Sequence, residues 1–259
     1  MKTLKLIFLA LLVSFSYSSN SQTAEEIIST YFENTGGIEA WSKLEGVKIS
    51  AKINQSGMEF PAEIIQLKEG QRMVILNIQG QTVKQNVFDG EVLWNTNMMT
   101  QKAEKSDQET TDNMKLESTS FPDPFLNYKE KGFTIELLGE EEIAGTNTFK
   151  IKLTKKPMIV DSKPEENVTY YFFDTENYVP IATQSEIKSG PAKGKVSETT
   201  FSDYQEVDGI YFAYSMTQGL KGQPGFSLSV DKIELNPEID AKEFAYPEDT
   251  ETPITDKKN

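Results

Sequence analysis

From Val47 to Trp94 apolar and polar residues take turns. In Val47-Lys48-Ile49-Ser50-Ala51-Lys52-Ile53-Asn54 the odd positions are apolar and the even ones polar, the period-2 pattern of a strand with one buried face. Ser56-Gly57, Glu69-Gly70 and Gln79-Gly80 break the pattern, and Asp89-Gly90 stands where a tight hairpin turn would. The same pattern resumes at Phe133–Leu138 and at Thr148–Lys155, where Phe149, Ile151 and Leu153 alternate with Lys150, Lys152 and Thr154. Val168–Phe173, Ile181–Ile187, Val196–Tyr204, Ile210–Met216 and Phe226–Leu235 complete the series. The spacing predicts a mainly β protein of roughly ten or eleven antiparallel strands joined as a meander, forming a barrel or one strongly curved sheet.

Helical signals are few. Thr23-Ala24-Glu25-Glu26 reads as a capping box, followed at helical spacing by Ile27, Ile28, Tyr31 and Phe32 and ended by Gly36-Gly37. A short second turn over Ile38–Leu44 carries Trp41. After Trp94 the alternation stops. Thr96–Ser120 is polar and acidic, with Met98, Met99 and Met114 scattered through it. It reads either as a mobile insert or as an insert holding a helix near Gln108–Glu117. Asp123-Pro124 then predicts an N-cap and first-turn proline, opening a short helix to about Lys131 that contains Phe125 and Leu126. A break of this length in a β protein is where a functional flap is expected.

Composition narrows the chemistry. The chain has no cysteine and no histidine, so disulfides, thiol nucleophiles, imidazole bases and the common zinc sites are excluded. We expect no cofactor, no metal and no catalytic constellation. The carboxylates Asp89, Glu91, Asp174 and Glu176 could form a glycosidase-like pair, but they fall at predicted turns, where acids serve turn geometry. A formal net charge of −14 argues against nucleic acid and anionic membrane surfaces as partners. Residues 1–22 read as a secretory signal peptide, with Lys2 and Lys5 before an apolar run from Leu6 to about Val13 and cleavage expected between Ser18 and Thr23. No cysteine follows, so no lipid anchor is expected; residues 249–259 read as an acidic and polar tail, with Thr252–Asn259 expected to be frayed.

Several ordered segments carry a resemblance. They are Gly36-Gly37-Ile38-Glu39-Ala40-Trp41 after an amphipathic helix, Phe88-Asp89-Gly90-Glu91-Val92-Leu93-Trp94, and the stretch Ile143–Leu153. Tyr171-Phe172-Phe173-Asp174-Thr175-Glu176 with Pro180, then Asp203-Tyr204 with Val207-Asp208-Gly209-Ile210, complete the order. Together they resemble the periplasmic lipoprotein-carrier (LolA/LolB-like) superfamily, in the long form found among Bacteroidota, over about Ala24–Pro247. The resemblance implies one domain, residues 23–248, built as an incomplete antiparallel barrel with short helices as a lid. It implies a periplasmic carrier that is not an enzyme. Such a carrier takes acylated lipoproteins or lipid acyl chains from an inner-membrane release transporter to an outer-membrane acceptor, and is expected to act as a monomer. It also implies an arginine near the barrel rim that latches the lid; the comparable strand end here is Lys68-Glu69-Gly70-Gln71-Arg72, with Arg72 the chain's sole arginine.

Sheltering an acyl chain needs no reactive group. Each buried methylene contributes about 0.8 kcal/mol, so a chain of about 16 carbons offers on the order of 12 kcal/mol before association costs. The in-facing candidates are Ile49, Ala51 and Ile53; Phe60, Ala62 and Ile64; Val74 and Leu76; Phe149, Ile151 and Leu153; Phe172; and Phe212 and Tyr214. For any one of them ordinary core packing is the default role, and the set becomes a cavity only if the sheet encloses more space than its side chains fill. Ile27, Ile28, Tyr31 and Phe32, with Phe125 and Leu126, are the expected lid; the alternative for the helix is permanent packing on the sheet.

Overall fold

The computed structural model describes residues 22–248; the expected signal peptide up to residue 21 and the tail from 249 lie outside the described residues. Helix α1 (Ala24–Asn34) begins with the predicted capping box, Thr23 and Glu26 each accepting from the other's backbone N–H. Helix α2 (Ile38–Ser42) follows across Gly36-Gly37. Five strands come next: β1 (Gly46–Gln55), β2 (Met58–Leu67), β3 (Arg72–Ile78), β4 (Gln81–Phe88) and β5 (Leu93–Thr96). A short β6 (Ala103–Lys105) precedes helix α3 (Gln108–Ser118). The second series is β7 (Thr134–Ile143), β8 (Thr146–Val160), β9 (Lys163–Asp174), β10 (Pro180–Glu186), β11 (Val196–Val207), β12 (Ile210–Leu220) and β13 (Phe226–Leu235).

All thirteen strands form one antiparallel sheet in the order β6-β5-β4-β3-β2-β1-β13-β12-β11-β10-β9-β8-β7. The fold is therefore mainly β and stays open, because β6 and β7 are two unpaired edges. The count exceeds the ten or eleven read from alternation. The short β5 pairs with β4 and the three-residue β6 with β5, and strands of four and three residues are too short to show alternation. Strands β1 and β13 pair in the middle of the sheet, Val47 opposite Leu235 and Ile53 opposite Leu228, so the two ends of the domain close on each other.

The two faces are buried by different parts of the chain. On the face called inner here, Val47, Phe149, Ile151, Leu153, Phe173, Ile210 and Ile233 pack with α1, α2 and the segment Phe121–Phe133. On the outer face Ile65, Met73, Val87 and Trp94 form a second cluster, covered by Phe244 from a 3-10 turn (Ala241–Phe244) with Ile239 and Tyr246 beside it. The indole Nε1 of Trp94 donates to the Phe244 carbonyl at 2.9 Å. Trp41 and Trp94 thus anchor opposite faces.

Helix α3, one of the two alternatives left open for the polar insert, protects an edge. Asn113 Nδ2 donates to the Ile159 carbonyl at 2.6 Å and its Oδ1 accepts from the Ile159 N–H at 2.8 Å, copying a ladder partner for the part of β8 that runs past β7. Glu109 accepts from the N–H groups of Asp161 and Ser162 at the following turn. Exposed edges of this kind invite foreign strands. Asn113→Ala strips two bonds at once from Ile159, and we expect a stability loss of about 1–3 kcal/mol in urea titration, with faster amide exchange at Ile159.

Candidate ligand trough and lid

The half of the inner face next to the helices is filled. Ile27 is fully buried and Ile28, Tyr31 and Phe32 are at most 5% exposed, so α1 is packed onto the sheet along its whole apolar stripe. Tyr31 and Phe125 stand edge-on to Phe173 at 5.5 and 5.6 Å between ring centres, and Phe125 meets Tyr171 at 4.7 Å. Trp41 lies 5.3 Å from Phe212, with Tyr214 packed nearby. The structure brings the expected lid residues (Ile27, Ile28, Tyr31, Phe32, Phe125 and Leu126) into one cluster with Phe149, Ile151 and Leu153. The end of α1 is docked on the β11–β12 hairpin, where the Tyr211 N–H donates to the Thr35 carbonyl. Gly36 approaches that hairpin so closely that a Cβ would stand 2.2 Å from the Gly209 carbonyl oxygen.

The second part of the lid corrects an expectation. Residues 124–132 form hydrogen-bonded turns, not the predicted helix, because Asn127 adopts φ +52° and interrupts the right-handed run. Asp123 still caps the entry, its Oδ1 accepting from the Phe125 N–H at 2.8 Å. Its Oδ2 accepts from the Tyr31 hydroxyl at 3.0 Å, which ties the turn segment to α1 inside the core. Burial pushes the Asp123 carboxyl up, against the opposing pull of the Phe125 N–H, the Tyr31 hydroxyl and the Lys131 ammonium. Burial also pushes up the phenols of Tyr31, Tyr171 and Tyr204, each further raised by Asp123. Nothing in the residue types alone marks Asp123 as buried.

The sign of the pH effect follows. A carboxyl raised on folding binds more protons in the native than in the unfolded protein. Its contribution is therefore most favourable at low pH and is lost as pH rises from the unfolded value, about 4, towards the folded one. Asp123→Asn keeps an acceptor for Tyr31 and Phe125 without the buried charge. Relative to wild type, this variant should gain stability from about pH 4 upward and level off once the folded-state carboxyl is ionised, as read from urea midpoints across pH. A pH-independent difference would contradict the assignment.

Away from the helices the inner face remains partly open. Phe201, Met216, Leu228, Ile53 and Phe60 stand opposite one another in register on β11, β12, β13, β1 and β2. They make an apolar row across five adjacent strands that belongs to neither hydrophobic cluster. Ala51, Ala62 and Leu76 form a shorter parallel row, and Ile49, Ile64 and Val74 a third. Apart from Ala51, Ala62 and Leu228 these side chains are only half-buried. Further along the same strands, two residues from Ile53, Met216 and Leu228, the residues Gln55, Gln218 and Phe226 line with Ser197 a separate open cleft of about 520 Å³. Alternation within β11–β13 could have nominated Phe201, Met216 and Leu228, but only the register aligns them with Ile53 and Phe60.

Phe172 is the one trough candidate on the wrong side. Phe149 pairs with Phe173 and Ile151 with Tyr171, whereas Phe172 pairs with Lys150, so it points to the outer face. There the Lys150 ammonium lies 5.4 Å from its ring centre. Four aromatic residues, Tyr170 to Phe173, follow Thr169 in a run, and a run does not reveal its own phase. Met98 and Met99 are exposed at the β5–β6 turn, Met99 to 91%, far in register from the apolar rows. Asp89 and Asp174 accept from the backbone N–H groups of Glu91 and Glu176, the turn role expected of them. Arg72 sits beneath Phe121, Pro122 and Pro124 at the lid end of β3, and its Nε makes no hydrogen bond to the protein.

No family model and no curated protein matches the sequence. Solved structures do share the architecture. A DUF1329 family protein from Desulfovibrio piger superimposes with a TM-score of 0.52 at 12% identity, over 85% of this chain and 97% of that one. A LolA superfamily protein from Nitrosomonas europaea gives 0.51 at 12% identity, over 87% and 98%. An outer membrane lipoprotein-sorting protein domain from Vibrio parahaemolyticus gives 0.49 at 12% identity, over 85% and 94%. At such identity the likeness is one of fold: this chain has a LolA-like fold, an open antiparallel sheet with helices laid across its inner face.

Proposed function

We propose that this protein is an exported carrier that shelters the acyl chains of lipoproteins, or of a similar lipid, on its way to the outer membrane. The observation that carries the reading is the apolar row Phe201–Met216–Leu228–Ile53–Phe60, half-buried apart from Leu228 and left outside both packed clusters; beside it lies a cleft of about 520 Å³, a volume within the range of ligand sites, about 300–1,000 Å³. The lid half of the sheet is occupied by the protein's own aromatics, so a full acyl chain needs α1 and the turn segment to move aside. In this reading the chain works in the periplasm as a monomer, loaded at the inner membrane by a release transporter and unloaded at an outer-membrane acceptor. No helix among the described residues is long and apolar enough to cross a membrane. Binding of an environment-sensitive acyl probe to the purified protein tests the reading; no binding at any probe concentration below its micellar threshold would remove it.

The filled lid half favours a second reading, a non-catalytic envelope module that holds a protein or glycan partner on its curved sheet. Capture from envelope extracts separates the two. A carrier recovers a mixture of acylated proteins, and a module recovers one partner whether or not it is acylated.

A further inference from the structure

Among the described residues, three buried side-chain polar atoms make no hydrogen bond: Gln71 Oε1, Arg72 Nε and Ser120 Oγ. All three residues line one pocket of about 180 Å³. Its walls are the β2–β3 connection (Gln66 to Arg72), the end of α3 (Glu117 and Ser118) and the lid segment (Ser120, Phe121, Pro122 and Pro124). Buried polar atoms without partners are rare and each calls for an explanation; three converging on one space point to something polar that belongs there.

The residue types say what. Arg72 offers only donors, in a planar fork that fits a carboxylate or phosphate. Glu117, the acid whose field acts on it across the pocket, is held in an ion pair by Lys155, so the guanidinium is left without a committed counterion. Burial lowers the proton affinity of Arg72 and the field of Glu117 partly restores it, a cost that a bound anion would offset. Ser120 can donate or accept, and Gln71 Oε1 asks for an O–H or N–H on the ligand.

The pocket also has a direction. Gln66 stands opposite Arg72, and the same two rows continue through Ile64 and Val74 to Ala62 and Leu76, then to Phe60 opposite Ile53. From Gln66 to Phe60 is about 20 Å of strand at roughly 3.3 Å per residue, polar at the lid end and apolar along the rest.

We propose that this pocket binds the oxyanionic head, carboxylate or phosphate, of an amphiphile whose alkyl chain lies along the rows towards Phe60. The chain-binding half of this inference rests on the carrier reading above; the oxyanion half does not. The test is calorimetric titration with decanoate, decanol and inorganic phosphate, at constant ionic strength and below micellar concentrations. Wild type should bind decanoate about tenfold or more tighter than decanol, the effect of one charge-assisted contact, and should bind phosphate weakly. Arg72→Gln should level the two alkyl ligands and lose phosphate. Gln71→Glu, which supplies an internal counterion and leaves Arg72 in place, should do the same and serves if Arg72→Gln fails to fold. Equal affinities for decanoate and decanol in wild type, with no phosphate binding, overturn the proposal and leave a water-filled pocket. Phosphate binding that depends on Arg72, without binding of either alkyl ligand, upholds the oxyanion site and refutes the carrier reading instead.

Discussion

Ile53→Glu is expected to weaken binding of an acyl probe about a hundredfold or more while leaving the protein folded. Ile53 sits in the middle of the row shared with Leu228 and Phe60 and is only half-buried, so the substituted carboxylate can reach water in the empty protein. With a chain in place it cannot, and an ionised group forced into apolar contact costs several kcal/mol, where each 1.4 kcal/mol is about a factor of ten. Fluorescence titration of the probe measures the loss, and circular dichroism checks the fold. The comparison variant is Ile151→Glu. Ile151 is 0% exposed within the packed lid cluster, so this change should unfold the protein and says nothing about binding. Unchanged probe affinity in a folded Ile53→Glu variant would remove the open half of the inner face as the site.

Phe173→Ala carries the largest expected loss of stability. Phe173 is fully buried and its ring meets Tyr31 of α1, Phe125 of the turn segment and Tyr171 of its own strand. It is the point where both parts of the lid touch the sheet. Truncating a buried phenylalanine costs about 3–5 kcal/mol, which in a domain of this size lowers the melting midpoint by about 6–20 °C. The lid itself should loosen first, seen as faster amide exchange in α1 and in residues 121–132 than in β1 and β13. Uniform loss of protection across the whole sheet would mean that α1 is structural and does not act as a cover.

Much of this architecture is written in local pattern. Period-2 alternation located β1 and β8 because each has one solvated face, and Asp-Gly and Asx turns placed the hairpins between strands. The capping box at Thr23 and the stripe Ile27, Ile28, Tyr31 and Phe32 located α1, since a helix end and an apolar face are both sequence-local. The absence of cysteine and histidine determined which chemistries the protein lacks the residues for. What depended on tertiary structure was everything that two distant segments decide jointly. Asn127 in the left-handed region turned an expected helix into turns. Pairing with Lys150 put Phe172 outside, because a strand's phase is set by its neighbour's register and a run of aromatics satisfies either one. The burial of Asp123 under Tyr31, and the meeting of Gln71, Arg72 and Ser120 around one pocket, join residues some 50 to 90 positions apart in the chain. Alternation tells each strand which side is apolar; only the closing of β1 on β13, and the laying of α1 over half of the result, decides how much of that side is core and how much is left as a trough.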